Sequence, residues 1–191
     1  MKLFLICSLV LGIFFKFTNA SAQSTRAQTS RISGKGGGLF DVALYHGQTE
    51  ATNDPNNIYQ VRSNESYYDM KLGYVFGMGL YLGAQYATRN SGYLGGSTTG
   101  NGAGAGLGYF FQNGINLRAY YRFNESFNDF RNGTGSQFDA GFSELFATNF
   151  YLGILMSYRK TNYTSRDFDP TLTRYSFESV YPMLTVGFLI N

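Results

Sequence analysis

Residues 66–86 read SYYDMKLGYVFGMGLYLGAQY, and their apolar side chains recur at every second position. On one face lie Tyr68, Met70, Leu72, Tyr74 and Phe76, followed after a short connection by Leu80, Leu82, Ala84 and Tyr86. The other face carries Asp69, Lys71, Gly73 and Gly83. A period of two predicts β-strands with unlike faces. The short connection at Gly77-Met78 predicts that the two strands form a hairpin.

The same period recurs in eight runs, at 38–46, 66–76, 79–88, 102–111, 115–125, 136–146, 149–160 and 177–190. Short connections follow the second, fourth and sixth runs, and Asn113-Gly114 in one of them is a strong hairpin signal. Long polar segments follow the other runs, at 47–65, 89–101, 126–135 and 161–176. An even number of strands with this alternation predicts an all-β fold: an eight-stranded antiparallel up-and-down transmembrane β-barrel with both termini in the periplasm.

Aromatic residues gather at the strand ends of the apolar face, whereas aliphatic residues occupy the strand middles. The predicted lower girdle contains Phe40, Tyr74, Phe76, Tyr109, Phe111, Phe146, Phe150 and Phe188. The predicted upper girdle contains Tyr68, Tyr86, Tyr121, Phe123, Phe138 and Tyr158. Two aromatic belts are typical of proteins that cross a membrane, so the apolar face is predicted to contact lipid.

Glycine collects on the opposite face, at Gly73, Gly83, Gly102, Gly104, Gly106, Gly108, Gly141, Gly153 and Gly187. Glycine weakens a solvent-facing strand, but it makes room inside a narrow barrel for a large side chain from a neighbouring strand. The glycine face is therefore predicted to point inward. A soluble periplasmic barrel, with the apolar face inside, is the alternative. By the same alternation, the side chain of Glu144 is predicted to face outward, near the periplasmic end, unless a β-bulge turns it inward.

The N-terminus has the pattern of a cleaved signal peptide, with Lys2, an apolar run at 3–15 and the small-x-small sequence at 20–22. We predict a signal peptide at 1–22, a flexible periplasmic leader at 23–37 and the barrel at 38–191; an uncleaved anchor is the alternative. Cleavage removes the single cysteine, Cys7, so no disulfide is expected. Loss of Lys2 and Lys16 lowers the formal charge from +3 to +1, which gives no electrostatic reason to expect nucleic-acid binding.

Seven charged residues share the inward face of the predicted strands: Asp41, Asp69, Lys71, Arg118, Arg122, Asp139 and Arg159. A buried charge without a partner costs several kcal/mol, so these groups are predicted to pair. Hairpin register suggests that Asp41 lies near Lys71 and that Asp139 lies near Arg122. The network is interpreted as a structural plug, since eight strands enclose only enough space for side chains. A narrow gated pore or a proton-linked path is the alternative.

In the final run, Thr185-x-Gly187 is followed by Phe188, Leu189 and Ile190, which looks like a barrel-assembly signal. Together with the strand pattern, this makes the mature chain resemble the OmpA/OmpX-type outer-membrane β-barrel superfamily, by architecture rather than by a sharp motif. The resemblance implies residence in the cell outer membrane, contact with outer-membrane lipid and lipopolysaccharide, and insertion by the barrel-assembly machinery. Members serve as envelope-stabilising proteins, adhesins and surface-interaction proteins, and occasionally as lipid A enzymes.

The preferred function is therefore a non-enzymatic outer-membrane protein that supports envelope integrity or presents extracellular loops to a ligand. No cofactor or metal is expected, because one histidine and no mature cysteine make a poor ligand set. His46 is the alternative catalytic candidate, for a lipid A-modifying hydrolase or acyltransferase. Its possible partners in the sequence are Ser63, Ser66, Glu50 and Glu65.

Overall fold

The computed structural model describes residues 32, 34, 36–51, 61–93, 96–145, 147, 149–167 and 175–190. The predicted signal peptide, most of the predicted leader and Phe146 of the predicted lower girdle lie outside these residues. None of the described residues belongs to a helix long and apolar enough to cross a membrane.

The described residues form eight long strands and one two-residue strand. They are β1 Gly37–Ala51, β2 Val61–Val75, β3 Leu80–Tyr93, β4 Gly96–Phe110, β5 Ile115–Phe127, β6 Phe130–Leu145, β7 Phe150–Tyr163, β8 Ser165–Arg166 and β9 Tyr175–Ile190. Each long strand pairs antiparallel with its neighbours, and β1 pairs with β9. The predicted closed barrel of eight antiparallel strands is therefore confirmed. Short β8 pairs with the start of β6.

The stagger of the strands sets the shape of the barrel. Following directly paired residues once around the barrel from Phe188 of β9 leads back to β9 at Glu178, ten residues away along the strand. For eight strands this stagger corresponds to a tilt of about 40° and to an interior that side chains can fill. We call the end with the short turns near Gly77 and Asn113 the lower end, and the opposite end the upper end.

The long strands contain 13 to 16 residues and are longer than predicted. The prediction of long polar loops at 89–101 and 126–135 was wrong, because β3 and β4 continue to Tyr93 and Gly96 and only Asn128 and Asp129 separate β5 from β6. Polar Ser, Thr, Asn and Gly residues pair well at the ends of strands that are already aligned, but they carry no apolar alternation that would reveal a strand. Of the predicted loop at 47–65, residues 52–60 lie outside the described chain.

Three asparagines shape the upper end of the β5–β6 hairpin. Asn124, Asn128 and Asn132 have φ values of 54°, 56° and 54°, a left-handed conformation that asparagine tolerates better than most residues. The β5–β6 register is irregular between Arg122 and Glu125. Residues three apart on a regular strand face opposite sides, so this bulge is what places both Arg122 and Glu125 in the interior.

The two faces of the sheet have the composition that the sequence predicts. Large apolar residues of the outward face are exposed, among them Leu44, Met70, Leu72, Leu82, Leu107, Leu117, Ile154, Leu184 and Ile190. Inside, Tyr81, Tyr120 and Tyr151 lie beside glycines, and a Cβ at Gly83, Gly106 or Gly187 would overlap their rings. Glu144 is exposed and points outward, since the β6–β7 register is continuous there and contains no bulge.

An apolar cluster closes the lower end of the barrel. It consists of Ile32, Leu39, Val75, Tyr81, Phe110, Tyr120, Leu145, Tyr151 and Leu189. Ile32 is only 4% exposed, so this residue of the predicted flexible leader packs against the apolar cluster. A second cluster lies higher and contains Ala43, Tyr67, Ala87, Leu155, Tyr181 and Met183.

Candidate functional site

The barrel interior brings together the seven charged residues that the strand parity placed on one face. Asp41, Asp69, Lys71, Arg118, Arg122, Asp139 and Arg159 are each 3% exposed or less. We call them the interior charge network. They come from five different strands, so only closure of the barrel makes them neighbours.

At the lower end of the network, Asp41 holds two partners. Arg118 Nη1 lies 2.5 Å from Asp41 Oδ2, and the Tyr151 hydroxyl donates a hydrogen bond of 2.6 Å to the same oxygen. Asp41 was predicted to lie near Lys71, and Lys71 stands directly opposite it in the β1–β2 ladder. The ion pair of Asp41 is nevertheless with Arg118, because inside a narrow barrel a long arginine reaches across to a carboxylate, a contact that hairpin register cannot reveal.

In the middle of the network, Lys71 lies between two carboxylates. Its Nζ is 2.7 Å from Asp139 Oδ2 and 3.2 Å from Asp69 Oδ2. The Gln137 amide nitrogen donates to Asp69 Oδ2 at 2.8 Å and to Asp139 Oδ1 at 2.9 Å. Asp139 was predicted to lie near Arg122, but it stands opposite Arg118 in the β5–β6 ladder and pairs with Lys71. Arg159 Nη2 donates to Asp69 Oδ2 at 2.9 Å.

At the upper end, the interior contains three further charged residues, which were not predicted from the sequence to lie there. Arg122 forms an ion pair with Glu125, whose Oε2 accepts a hydrogen bond of 2.7 Å from the Thr161 hydroxyl. Arg89 forms an ion pair with Glu65, and its guanidinium packs against the rings of Phe127 and Phe177. These residues follow the inward parity of the extended strands, apart from Glu125, which the bulge turns inward. Longer predicted strands would have revealed Arg89 and Glu65.

The described interior contains as many cations as carboxylates. The carboxylates are Asp41, Glu65, Asp69, Glu125 and Asp139; the cations are Lys71, Arg89, Arg118, Arg122 and Arg159. Each has at least one oppositely charged partner, which offsets the cost of burying it. In the described part of the chain, no group of three or more His, Cys, Asp or Glu side chains is arranged to hold a metal ion.

His46 lies outside the barrel, on the outward face of β1. Its Nδ1 is 2.8 Å from Ser66 Oγ, directly across the β1–β2 ladder. Of the other predicted partners, Glu65 points into the barrel and pairs with Arg89. The side chains of Glu50 and Ser63 are outside the described part of the chain. Among the predicted residues whose side chains are described, the structure brings together His46 and Ser66.

These features define a class of protein: a closed eight-stranded antiparallel β-barrel with an apolar outer belt and an interior filled by paired charges. No family model, curated protein or solved structure matches the chain. The functional argument therefore rests on the residues described above.

Proposed function

We propose that the chain is a non-enzymatic integral outer-membrane β-barrel protein that supports the envelope and presents its upper end to the outside. The observation that carries the proposal is the apolar outer belt. Leu72, Leu184 and Ile190 are 63%, 65% and 64% exposed, and similar side chains surround the barrel. Soluble proteins rarely expose contiguous apolar surface beyond a few hundred Å². Lipid is the environment that matches such a belt.

The belt ends abruptly toward the upper end, which is the pattern expected at a membrane surface. On β1 the outward residue changes from Leu44 to His46, and on β2 it changes from Tyr68 to Ser66. On β3 the outward residue paired with Ser66 is Asn90. A strand of about 15 residues at a tilt of about 40° spans roughly 38 Å along the barrel axis. An apolar band of about 25 Å leaves roughly 13 Å of each hairpin outside it. These polar hairpin ends are the surface we propose for an extracellular ligand.

The filled interior supports a structural role over conduction. Tyrosine rings and paired charges occupy the space between the two apolar clusters. A silent planar bilayer containing the purified protein is the expected result. Discrete single-channel steps would instead support a narrow pore, the third interpretation of the sequence.

Membrane residence is tested by fractionation and gel mobility. We expect the protein in the outer-membrane fraction, where it resists extraction by salt and carbonate and migrates differently before and after boiling in SDS. Release into the soluble periplasmic fraction with no heat-dependent shift would contradict the proposal. Such a result would mean that another partner covers the apolar belt.

A second candidate function, a lipid A-modifying hydrolase or acyltransferase, is favoured by the hydrogen bond between His46 and Ser66. If the His46 proton resides on Nε2, the Ser66 hydroxyl donates to Nδ1, so the imidazole can act as the base that activates a serine nucleophile. The pair lies just above the apolar belt, where an ester of an outer-leaflet lipid would be accessible. Among the described carboxylates, none is hydrogen-bonded to the His46 ring.

Lipid A mass spectra separate the two candidates. Under the preferred function, spectra from cells with the wild-type protein, with His46→Ala, with Ser66→Ala and without the protein are identical. Asn90→Ala, which alters the neighbouring outward residue, is the matched control. An acyl-chain change that requires His46 and Ser66 but not Asn90 would establish the enzyme.

A further inference from the structure

The ladder that closes the barrel stops part of the way up. Pairing between β1 and β9 ends at Leu44 and Leu184. Above that point β1 stays paired with β2, and β9 stays paired with β7, as far as their upper ends. Among the described residues, 45–51 of β1 and 175–183 of β9 therefore form no ladder with each other. We call this gap the seam.

Pro182 explains why the ladder ends where it does. The backbone N–H of Leu189 donates to Asn149, just before β7, so the odd-numbered residues of β9 direct their N–H groups toward β7. Even-numbered residues, among them Pro182, therefore face β1. The next rung of the ladder would join His46 to Pro182, but proline has no N–H to donate.

The two edges of the seam differ in their protection against a further strand. On the β9 edge, Pro182 removes a donor and Glu178 carries an exposed charge. Proline and charge are devices that keep an edge strand from pairing with another chain. The β1 edge contains no proline, and its single charged residue, Glu50, lies near the upper end. By the same alternation, the backbone groups of His46, Gln48 and Glu50 face the seam. The β1 edge is therefore the one open to a further strand.

Two tyrosine rings form the floor of the seam on the inner side of the sheet. Tyr45 comes from β1 and Tyr181 from β9, and their ring centres are 5.0 Å apart. Both pack with the upper apolar cluster. On the outer side, His46 and Gln48 are exposed and polar. A strand added at this edge would place its inward side chains on the tyrosines and its outward side chains in water.

We infer that the β1 edge of the seam binds an extended peptide segment of a partner protein by β-strand addition, with Gln48 and Glu50 supplying backbone hydrogen bonds. Main-chain hydrogen bonds give affinity in this mode, and the side chains of alternate residues give selectivity. The tyrosine floor favours an apolar or aromatic side chain on the inward positions of the peptide. Placing the partner outside the cell rests on the proposed function, whereas binding itself requires only the folded barrel.

Amide exchange of the purified full-length protein in detergent, followed by NMR, tests for a free edge. The probe is a synthetic peptide with the sequence of residues 176–184 carrying Pro182→Thr, which presents to β1 the strand that β9 would present without its proline. Without the probe, the amides of Gln48 and Glu50 are expected to exchange faster than that of Gly47, which faces β2. With the probe at about nine times Kd, exchange at Gln48 and Glu50 is expected to slow about tenfold, while exchange at Gly47 stays unchanged.

Variants of the edge separate backbone from side-chain recognition. Gln48→Pro is expected to weaken binding of the fluorescein-labelled probe by about tenfold, measured by fluorescence anisotropy, because one edge donor is lost. Proline is tolerated on an edge strand, so the barrel should keep its heat-dependent gel shift. Gln48→Thr retains the N–H and is the matched control, with binding equal to the wild type. Pro182→Thr in the protein restores the missing donor, so it should protect Gln48 without the probe and weaken probe binding.

Three results would overturn the inference. Slow exchange at Gln48 and Glu50 without the probe, at every protein concentration, would show that the chain itself already pairs with this edge. Protection that increases with protein concentration would assign the edge to a second copy of the chain. Failure of the probe to protect either amide would show that the edge does not accept a strand. Membrane residence is tested separately by fractionation, so these results leave it unaffected.

Discussion

At the residue scale, the tyrosine rings of the interior pack over nearby glycines. The ring of Tyr81 lies over Gly73 and Gly83, and the ring of Tyr151 lies beside Gly187. The Tyr151 hydroxyl then reaches Asp41 and helps to satisfy that buried carboxylate. Glycine at these positions is therefore a packing requirement, because the ring needs the space that a Cβ would fill.

Gly83→Ala is expected to destabilise the barrel by about 1–3 kcal/mol, because the added methyl group overlaps the Tyr81 ring and the carbonyl oxygen of Leu72. The free energy of unfolding from urea titration in detergent measures the effect. Gly92→Ala on the same strand is the matched control, since a Cβ there has no neighbour within 4 Å. Equal stabilities of the two variants would show that the ring has room to move.

Arg118→Met is expected to destabilise the protein by about 3–5 kcal/mol, because it leaves Asp41 buried without a cation. Arg131→Met, at an exposed ion pair with Asp167, is expected to cost about 1 kcal/mol or less. Urea unfolding compares the two. Asp41→Asn in the Arg118→Met background should recover part of the loss, and a double variant less stable than Arg118→Met would contradict this account.

At the element scale, the upper ends of the hairpins are held by contacts between neighbouring connections. The short strand β8 pairs with the start of β6, and Arg166 Nε donates to Asp129 Oδ2 at 2.5 Å. Arg131 Nη2 lies 2.7 Å from Asp167 Oδ2. Tyr175 of β9 stacks on Phe130 with ring centres 4.5 Å apart. These contacts join β6, β8 and β9 above the apolar belt.

The contact between β6 and β8 is expected to weaken in acid. The hydrogen bond from Arg166 lowers the pKa of Asp129 below its ordinary value of 3.8. A carboxyl group with a lowered pKa in the folded state stabilises that state above its unfolded pKa, and this stabilisation is lost as the pH falls through the folded pKa. Amide exchange at Arg131 and Arg166, corrected for intrinsic rates, should therefore increase below about pH 4. In Asp129→Asn this pH dependence should be absent; if it persists, another group is responsible.

At the scale of the whole molecule, the barrel turns the usual arrangement of a soluble protein inside out. Its charges are buried and paired, whereas its large aliphatic side chains face outward. Eight strands with a stagger of ten enclose a space that the tyrosines and long charged side chains fill. Within the described part of the chain, the outer belt is an apolar surface extensive enough to require a separate partner, and lipid is the partner we propose.

Leu72→Arg tests this proposal, because Leu72 lies in the middle of the outward apolar stretch of β2. In a lipid bilayer the arginine is expected to cost about 2–4 kcal/mol, which is measured as a lower folded fraction in phospholipid vesicles. Asn90→Arg, on the outward face above the belt, is expected to cost about 0–1 kcal/mol. A Leu72→Arg variant as stable as the wild type would instead indicate that the belt faces water or a polar partner.

The sequence by itself determined the architecture and the direction of each strand face. Period-two alternation, glycine on one face and aromatic residues at strand ends were sufficient, because side-chain alternation is a local property of extended backbone. The same parity identified Asp41, Asp69, Lys71, Arg118, Arg122, Asp139 and Arg159 as one group.

Only the tertiary structure decided which of those charges pair, because Arg118 and Asp41 are 77 residues apart and meet only when the barrel closes. It also decided that Glu125 faces inward, since a bulge reverses the parity on which sequence reasoning depends. The extension of β3 and β4 into polar sequence likewise required knowledge of the paired neighbour. Strand pairing can continue through Ser, Thr, Asn and Gly without leaving an apolar pattern in the sequence.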